Sequence, residues 1–164
     1  MNEQILEFYK RTSVYTNFGP YEEYFKTLPD DLEELTKLIN DQYIHRVVLF
    51  RSYLRNDRIK EEYPWYNYRS HDDILLTVPS ITAELFRLDS KGFTHEREIK
   101  NKVITTCRYA SILLASILKA KGYSARVRSG FGKYFREDAY LDHWLVELYD
   151  KTQEKWILLD ADTL

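Results

Sequence analysis

"VITTCRYASILLASILKAKGYSARVRSGF", residues 103–131, changes its hydrophobic period halfway along. Ala110, Leu113, Leu114, Ile117 and Leu118 recur three and four apart, the stripe of an α-helix. Thr105 or Thr106 can cap its start with a side-chain oxygen, and Gly122 can end it. Past the glycine, Tyr123, Ala125, Val127, Ser129 and Phe131 alternate with Ser124, Arg126 and Arg128, the period of a strand. The only cysteine of the chain, Cys107, stands where the irregular stretch becomes helix. The first N–H groups of a helix have no internal partner, and the dipole is positive there. Both favour thiolate over thiol, so the position predicts a thiol that ionises below its usual pKa of about 8.5.

Downstream, residues 143–149 (HWLVELY) and 155–160 (KWILLD) read as two further strands joined by the polar DKTQE. Upstream the pattern is helical. A short helix is expected over residues 3–11 and a turn at Asn17-Phe18-Gly19-Pro20. Leu32, Leu35, Leu38 and Ile39 then mark an amphipathic helix with Asp30 as its N-cap. Residues 44–54 fit helix or strand and are read as helix; residues 61–70 (EEYPWYNYRS) are aromatic and irregular. Ser70 can cap a turn through Asp73. Pro79 opens a helix with Ile81, Leu85 and Leu88 on one side, and residues 89–102 are loop or short helix. The order predicts an α+β fold with an antiparallel sheet, as a single domain over 1–164: a mainly helical lead-in over 1–100, then 101–164 with the Cys107 helix and the strands.

Composition narrows the function. A net charge of −2 and a pI near 6.1 give no field that would draw nucleic acid or a membrane surface. One cysteine excludes an internal disulfide and a cysteine-based zinc cluster. The start, MNEQILEFYKRTS, has no apolar segment of a signal peptide, and no run reaches the roughly 18 apolar residues of a membrane span, so a cytoplasmic location is expected. The 14 tyrosines read as packing residues of core and rim.

A nucleophilic thiol needs a base, and the base needs an orienting group. The histidines are His45, His71, His95 and His143. If Tyr149 pairs with Glu154 across a four-residue loop, His143 lies directly opposite Asp160 on one face of the hairpin. Slipping the register by one residue pairs His143 with Ala161 and sends Asp160 to the other face. Hydrophobicity alone does not choose. Asp162 is a rival that falls beyond the strand end. His45, His71 and His95 read as surface residues, and His71/Asp72/Asp73 lacks metal-ligand spacing. Arg126, Arg128, Lys133 and Arg136 form a basic patch that is either a solvated face or a grip on an acidic substrate group. Trp144 and Trp156 read as core residues.

Together these residues resemble the transglutaminase-like superfamily, of papain-like fold, in the form of its small bacterial members. The likeness covers about residues 100–164: a cysteine opening a small-residue-rich helix that ends in a glycine, KGYSARVRSGF as the arginine-bearing strand, DHWLVEL with a His-aromatic pair, and KWILLDADTL with Trp and Asp. It implies Cys107 as nucleophile, His143 as base and acid, Asp160 as orienter, and the Cys107 helix packed on the sheet. Two departures stand out. The chain ends four residues after Asp160, so the sheet is expected to be short or its edge completed by another chain. Residues 103–106, Val-Ile-Thr-Thr, lack the side chain that often supplies an oxyanion donor there. Trp65, Asn67 and Asn101 are the substitutes, and the loss of such a donor costs on the order of 10²–10³ in rate. The expectation is a cysteine hydrolase, protease- or amidase-like, or a transglutaminase-type acyltransferase. It would act on a protein, a peptide or a small amide through a Cys107 thioester, without metal or organic cofactor. Trp65, Asn67, Arg128 and Trp144 are the candidate substrate contacts. The alternative is an inactive peptide-binding module using Tyr63, Trp65, Tyr66 and Tyr68.

Overall fold

The computed structural model describes residues 2–55, 60, 61, 70–133 and 137–162. Helix α1, Glu3–Lys10, is capped by Asn2, whose side chain accepts the Gln4 N–H at 2.9 Å. Helices α2, Glu22–Lys26, and α3, Leu32–Gln42, follow. The N-cap of α3 is Asp31, not Asp30: its Oδ1 accepts the Glu34 N–H at 2.8 Å, three residues on, while Asp30 takes the Lys121 ammonium at 2.7 Å.

The stretch expected as helix over 44–54 divides. Tyr43–His45 form strand β1, and helix α4 runs Arg46–Arg55. Strand β1 pairs in parallel with β2, Val103–Thr105, in the register Tyr43–Val103, Ile44–Ile104, His45–Thr105. Tertiary pairing overrides local period here, because both strands bring apolar side chains to the interior and a short parallel pair leaves no periodic trace. Helix α5, Val78–Leu88, opens with Pro79 at its second position, and Thr77 and Ser80 exchange bonds in a capping box.

Helix α6, Cys107–Ala120, is the axis of the molecule, buried on nearly every side. It ends at Gly122, whose φ of +84° suits a residue without Cβ. Strands β3 (Ala125–Gly132), β4 (Leu141–Asp150) and β5 (Lys155–Leu159) form an antiparallel sheet in chain order. The β4–β5 register differs from the expected one. Tyr149 pairs with Trp156 rather than Glu154, and the hairpin closes on Asp150 opposite Lys155. The Asp150 carboxylate sets this turn by accepting the N–H groups of Thr152 and Gln153 at 2.7 and 3.1 Å. The shift is by two residues, so every side chain keeps its face. Ala125, Val127, Val146, Leu148, Ile157 and Leu159 line the face joined to the core around α6. On the other face Arg126 lies over the rings of Tyr9 and Trp156, at 4.9 and 4.5 Å from their centroids. One core cluster runs from Phe25, Leu35, Ile39 and Leu85 in the lead-in through Leu114, Ile117 and Leu118 to Val146 and Leu148. Among the described residues no helix is long and apolar enough to cross a membrane.

Candidate active site

Cys107 is the first residue of α6, and Thr106 holds the N-cap position in extended conformation without capping the helix through its side chain. The hydroxyl of Thr105 donates elsewhere, to Asp72 Oδ1 at 2.6 Å. The backbone N–H groups of Trp144 and Arg108 face the sulfur. Even so, the expected low-pKa thiol is not what this setting produces. Cys107 is 7% exposed, and burial pushes its thiol up to about 11. The two N–H groups pull the other way, and the carboxylates of Asp162 and Asp142 add to the rise. Loss of water outweighs the helix terminus. At neutral pH the group is a thiol that needs a base to take its proton.

The imidazole of His143 is buried and bonded to Asp160, Nε2 to Oδ2, at 2.7 Å. The two residues are not directly opposite. Ladder pairing ends at Val146–Leu159, after which the chain leaves the sheet. Asp160 turns back, its Oδ1 accepting the Asp162 N–H at 3.0 Å, and its carboxylate reaches the ring along a diagonal. With Nε2–H directed at a carboxylate, Nδ1 is the basic nitrogen of the ring. His143 immediately precedes Trp144, whose N–H faces the sulfur, so the imidazole is carried by the strand segment that lies against Cys107.

Three further residues join this cluster. Tyr43 donates its hydroxyl to Asp162 Oδ1 at 2.7 Å and to the Ala161 carbonyl at 2.8 Å. Burial and the neighbouring Asp162 carboxylate hold that phenol well above its ordinary pKa. Asp162 Oδ2 is 4.0 Å from His45 Nε2, and one donor atom each from His45, Cys107 and Asp162 lie within 4.8 Å of one another. Burial raises the Asp162 pKa, while the Tyr43 hydroxyl, His45 and His143 lower it. Asp162 is therefore at the sulfur rather than beyond the site, and His45 is not a surface bystander. The sole sequence signal was the Asp-Ala-Asp alternation, which puts two carboxylates on one side. Nothing local pointed to His45, whose place depends on the β1–β2 pairing.

An N, S, O donor set is zinc-like in kind. However, His45 Nδ1 accepts the Val47 N–H at 3.2 Å, so Nε2 carries the ring proton and offers no lone pair as arranged. At the other suggested cluster, His71 Nδ1 accepts the Ile104 N–H at 2.9 Å and Asp72 accepts from Thr105.

Of the candidate substrate contacts, Arg128 is engaged by Glu147 at 2.6 Å, and Arg126 shares that carboxylate. Two of the four basic residues are thus held within the sheet on a single carboxylate. The half-buried ring of Trp144 lies under the Arg108 guanidinium, 5.4 Å from the centroid, and Tyr15 and Tyr109 stack on the same guanidinium. Trp144 is a platform beside the cysteine rather than a core residue. The Asn101 carbonyl accepts from Arg97 at 3.0 Å. Tyr63, Trp65, Tyr66, Asn67, Tyr68 and Arg136 lie outside the described residues.

No family model and no curated protein matches the chain. Among solved structures it is similar to a putative cysteine protease from Cytophaga hutchinsonii, with a TM-score of 0.58 and 15% sequence identity. The likeness covers 100% of this chain and 44% of that one, so the chain spans less than half the length of its structural neighbour. The two share a fold, the α+β arrangement of helices and antiparallel sheet expected from the sequence.

Proposed function

We propose that this chain is a cysteine-dependent hydrolase of amide bonds, transglutaminase-like in its layout, acting on peptides or proteins. The observation that carries this reading is the 2.7 Å bond between His143 and Asp160 on the strand segment against Cys107. The fold shared with a protein described as a cysteine protease supports it.

In the proposed reaction the Cys107 sulfur attacks the carbonyl carbon, and the thiol proton passes to His143 Nδ1. Asp160 stabilises the resulting imidazolium and holds the ring in place. The tetrahedral adduct collapses, the C–N bond breaks, and His143 returns the proton to the leaving amine. Water then adds to the thioester, releasing the acid and restoring the thiol. A thiol held near 11 favours proton transfer during attack over a preformed ion pair.

Iodoacetamide alkylation of Cys107 followed against pH tests the base. At pH 7 the wild-type rate should exceed that of His143→Ala by about tenfold or more, within the range that a positioned base contributes. Rates that do not depend on His143 would sink the assignment. The depth of the thiol favours one second reading, an inactive binding module. That reading requires Cys107 to resist alkylation in the native protein and react only on unfolding.

A further inference from the structure

We infer that His45 is a second catalytic residue of this site, its Nε2–H donating to the oxyanion of the tetrahedral adduct on Cys107. The inference rests on the acyl-transfer reading above. When the sulfur–carbon bond forms, the π pair of the carbonyl moves onto oxygen. That pair returns when the leaving group departs. The charge needs donors aimed at it; the Arg108 and Trp144 N–H groups face the sulfur itself, which leaves the Cys107 N–H at the start of α6 as the backbone donor for the oxyanion. The side chains of residues 103–105 do not provide the second: Val103 and Ile104 are apolar, and the Thr105 hydroxyl is committed to Asp72.

Three observations point to His45. The parallel ladder pairs it with Thr105, two residues before the nucleophile, so the backbone fixes it beside the helix start. A ring nitrogen of His45 lies within 4.8 Å of the Cys107 sulfur. An oxyanion is two bonds from the sulfur and wants its donor about 2.7–3.1 Å away, so that separation is the right reach. Lastly, the Val47 N–H on Nδ1 selects the tautomer with hydrogen on Nε2. The Asp162 oxygen facing that hydrogen is 4.0 Å away, too far for a hydrogen bond, so the donor is not consumed there. The His45 side chain is 21% exposed and can be met by a substrate.

Two probes separate this role from a base or a purely structural part. p-Nitrophenyl acetate acylates a thiol through an oxyanion; iodoacetamide alkylates it by displacement at a saturated carbon, with none. The full chain, its Cys107→Ala control, and the His45→Ala, His45→Gln and His143→Ala variants would be compared with both reagents, with circular dichroism as the check on folding. The acetyl group is located on Cys107 by mass spectrometry and its rate read from the p-nitrophenolate burst. His45→Ala should lose about 10²-fold in acylation, the size expected for one oxyanion donor. Its alkylation rate should stay within about threefold of wild type, and His45→Gln, which keeps an N–H, should recover part of the loss. His143→Ala should slow both reactions. If His45→Ala slows both equally, or slows neither, this role for His45 is overturned while the hydrolase reading stands. A wild type that alkylates but never acylates at Cys107 overturns the hydrolase reading and this inference with it.

Discussion

At Cys107 the core and the chemistry want different protonation states. A buried sulfur is accommodated as a neutral thiol, whereas attack on a carbonyl needs the thiolate. Burial prevails in the resting protein and moves the thiol up from its ordinary value to about 11. Because the folded state binds this proton more tightly than the unfolded chain does, the preference stabilises the fold. That stabilisation is fully present below pH 9 and is lost as the pH rises through 11. A shift of roughly two pKa units corresponds to about 2–3 kcal/mol. Urea denaturation of wild type and Cys107→Ala at steps from pH 7 to 11 should show the stability difference moving against wild type by about that amount. A thiolate–imidazolium pair in the resting protein would give the opposite sign, with wild type gaining as the pH rises from acid through the lowered thiol pKa. Either that or a flat difference would contradict a resting thiol.

Among the elements, the small β1–β2 ladder carries more of the site than its length suggests. It sets His45 beside the start of α6 and hangs Tyr43 over Asp162. Beneath it Ile104, fully buried, packs with Leu49 and the partly buried Ile44 and Ile99, apart from the main core. Ile104→Ala should cost about 2–4 kcal/mol, since so small a cluster cannot refill the space from elsewhere; a loss under 1 kcal/mol in equilibrium unfolding would mean that the ladder is held by something else. This element also leaves the weakest local trace in the sequence. The α6–β3 boundary was legible, because a change from period 3.6 to period 2 at Gly122 is a local signal. The shared face of His143 and Asp160 was one of two arrangements the sequence allowed, and the observed even shift in register preserves it. The register itself was not legible, since it depends on which amides Asp150 captures. The three-residue strands were invisible for want of any repeat, and with them the places of His45 and Tyr43. Asp162 lies past the strand end, where a period-2 pattern no longer fixes the side chain, and the chain there folds back onto Tyr43.

Across the whole molecule, the helical lead-in and the part that carries the site are tied through α6 and the residues just after it. Ser116 donates to the Thr16 carbonyl at 2.8 Å, Lys119 to the Arg11 carbonyl at 2.7 Å, Lys121 to the Leu28 carbonyl at 2.6 Å and Ser124 to the Leu6 carbonyl at 2.9 Å. The apolar core crosses the same boundary, with Phe25 of α2, fully buried, in one cluster with Leu114 of α6 and Val146 of β4. Such sharing predicts that the lead-in cannot melt while the sheet persists. Phe25→Ala removes a large ring from that core, a change worth about 3–5 kcal/mol. If the two parts unfold as one, slowly exchanging β4 amides such as those of Val146 and Leu148 should lose the same free energy of protection that denaturation reports for the variant. If the lead-in is a separate unit, those amides should keep wild-type protection while only helical signal is lost. Native-state hydrogen exchange on wild type and Phe25→Ala decides between the two. The shared result would mean that the strand holding His143 is only as stable as a phenylalanine far from it in sequence allows.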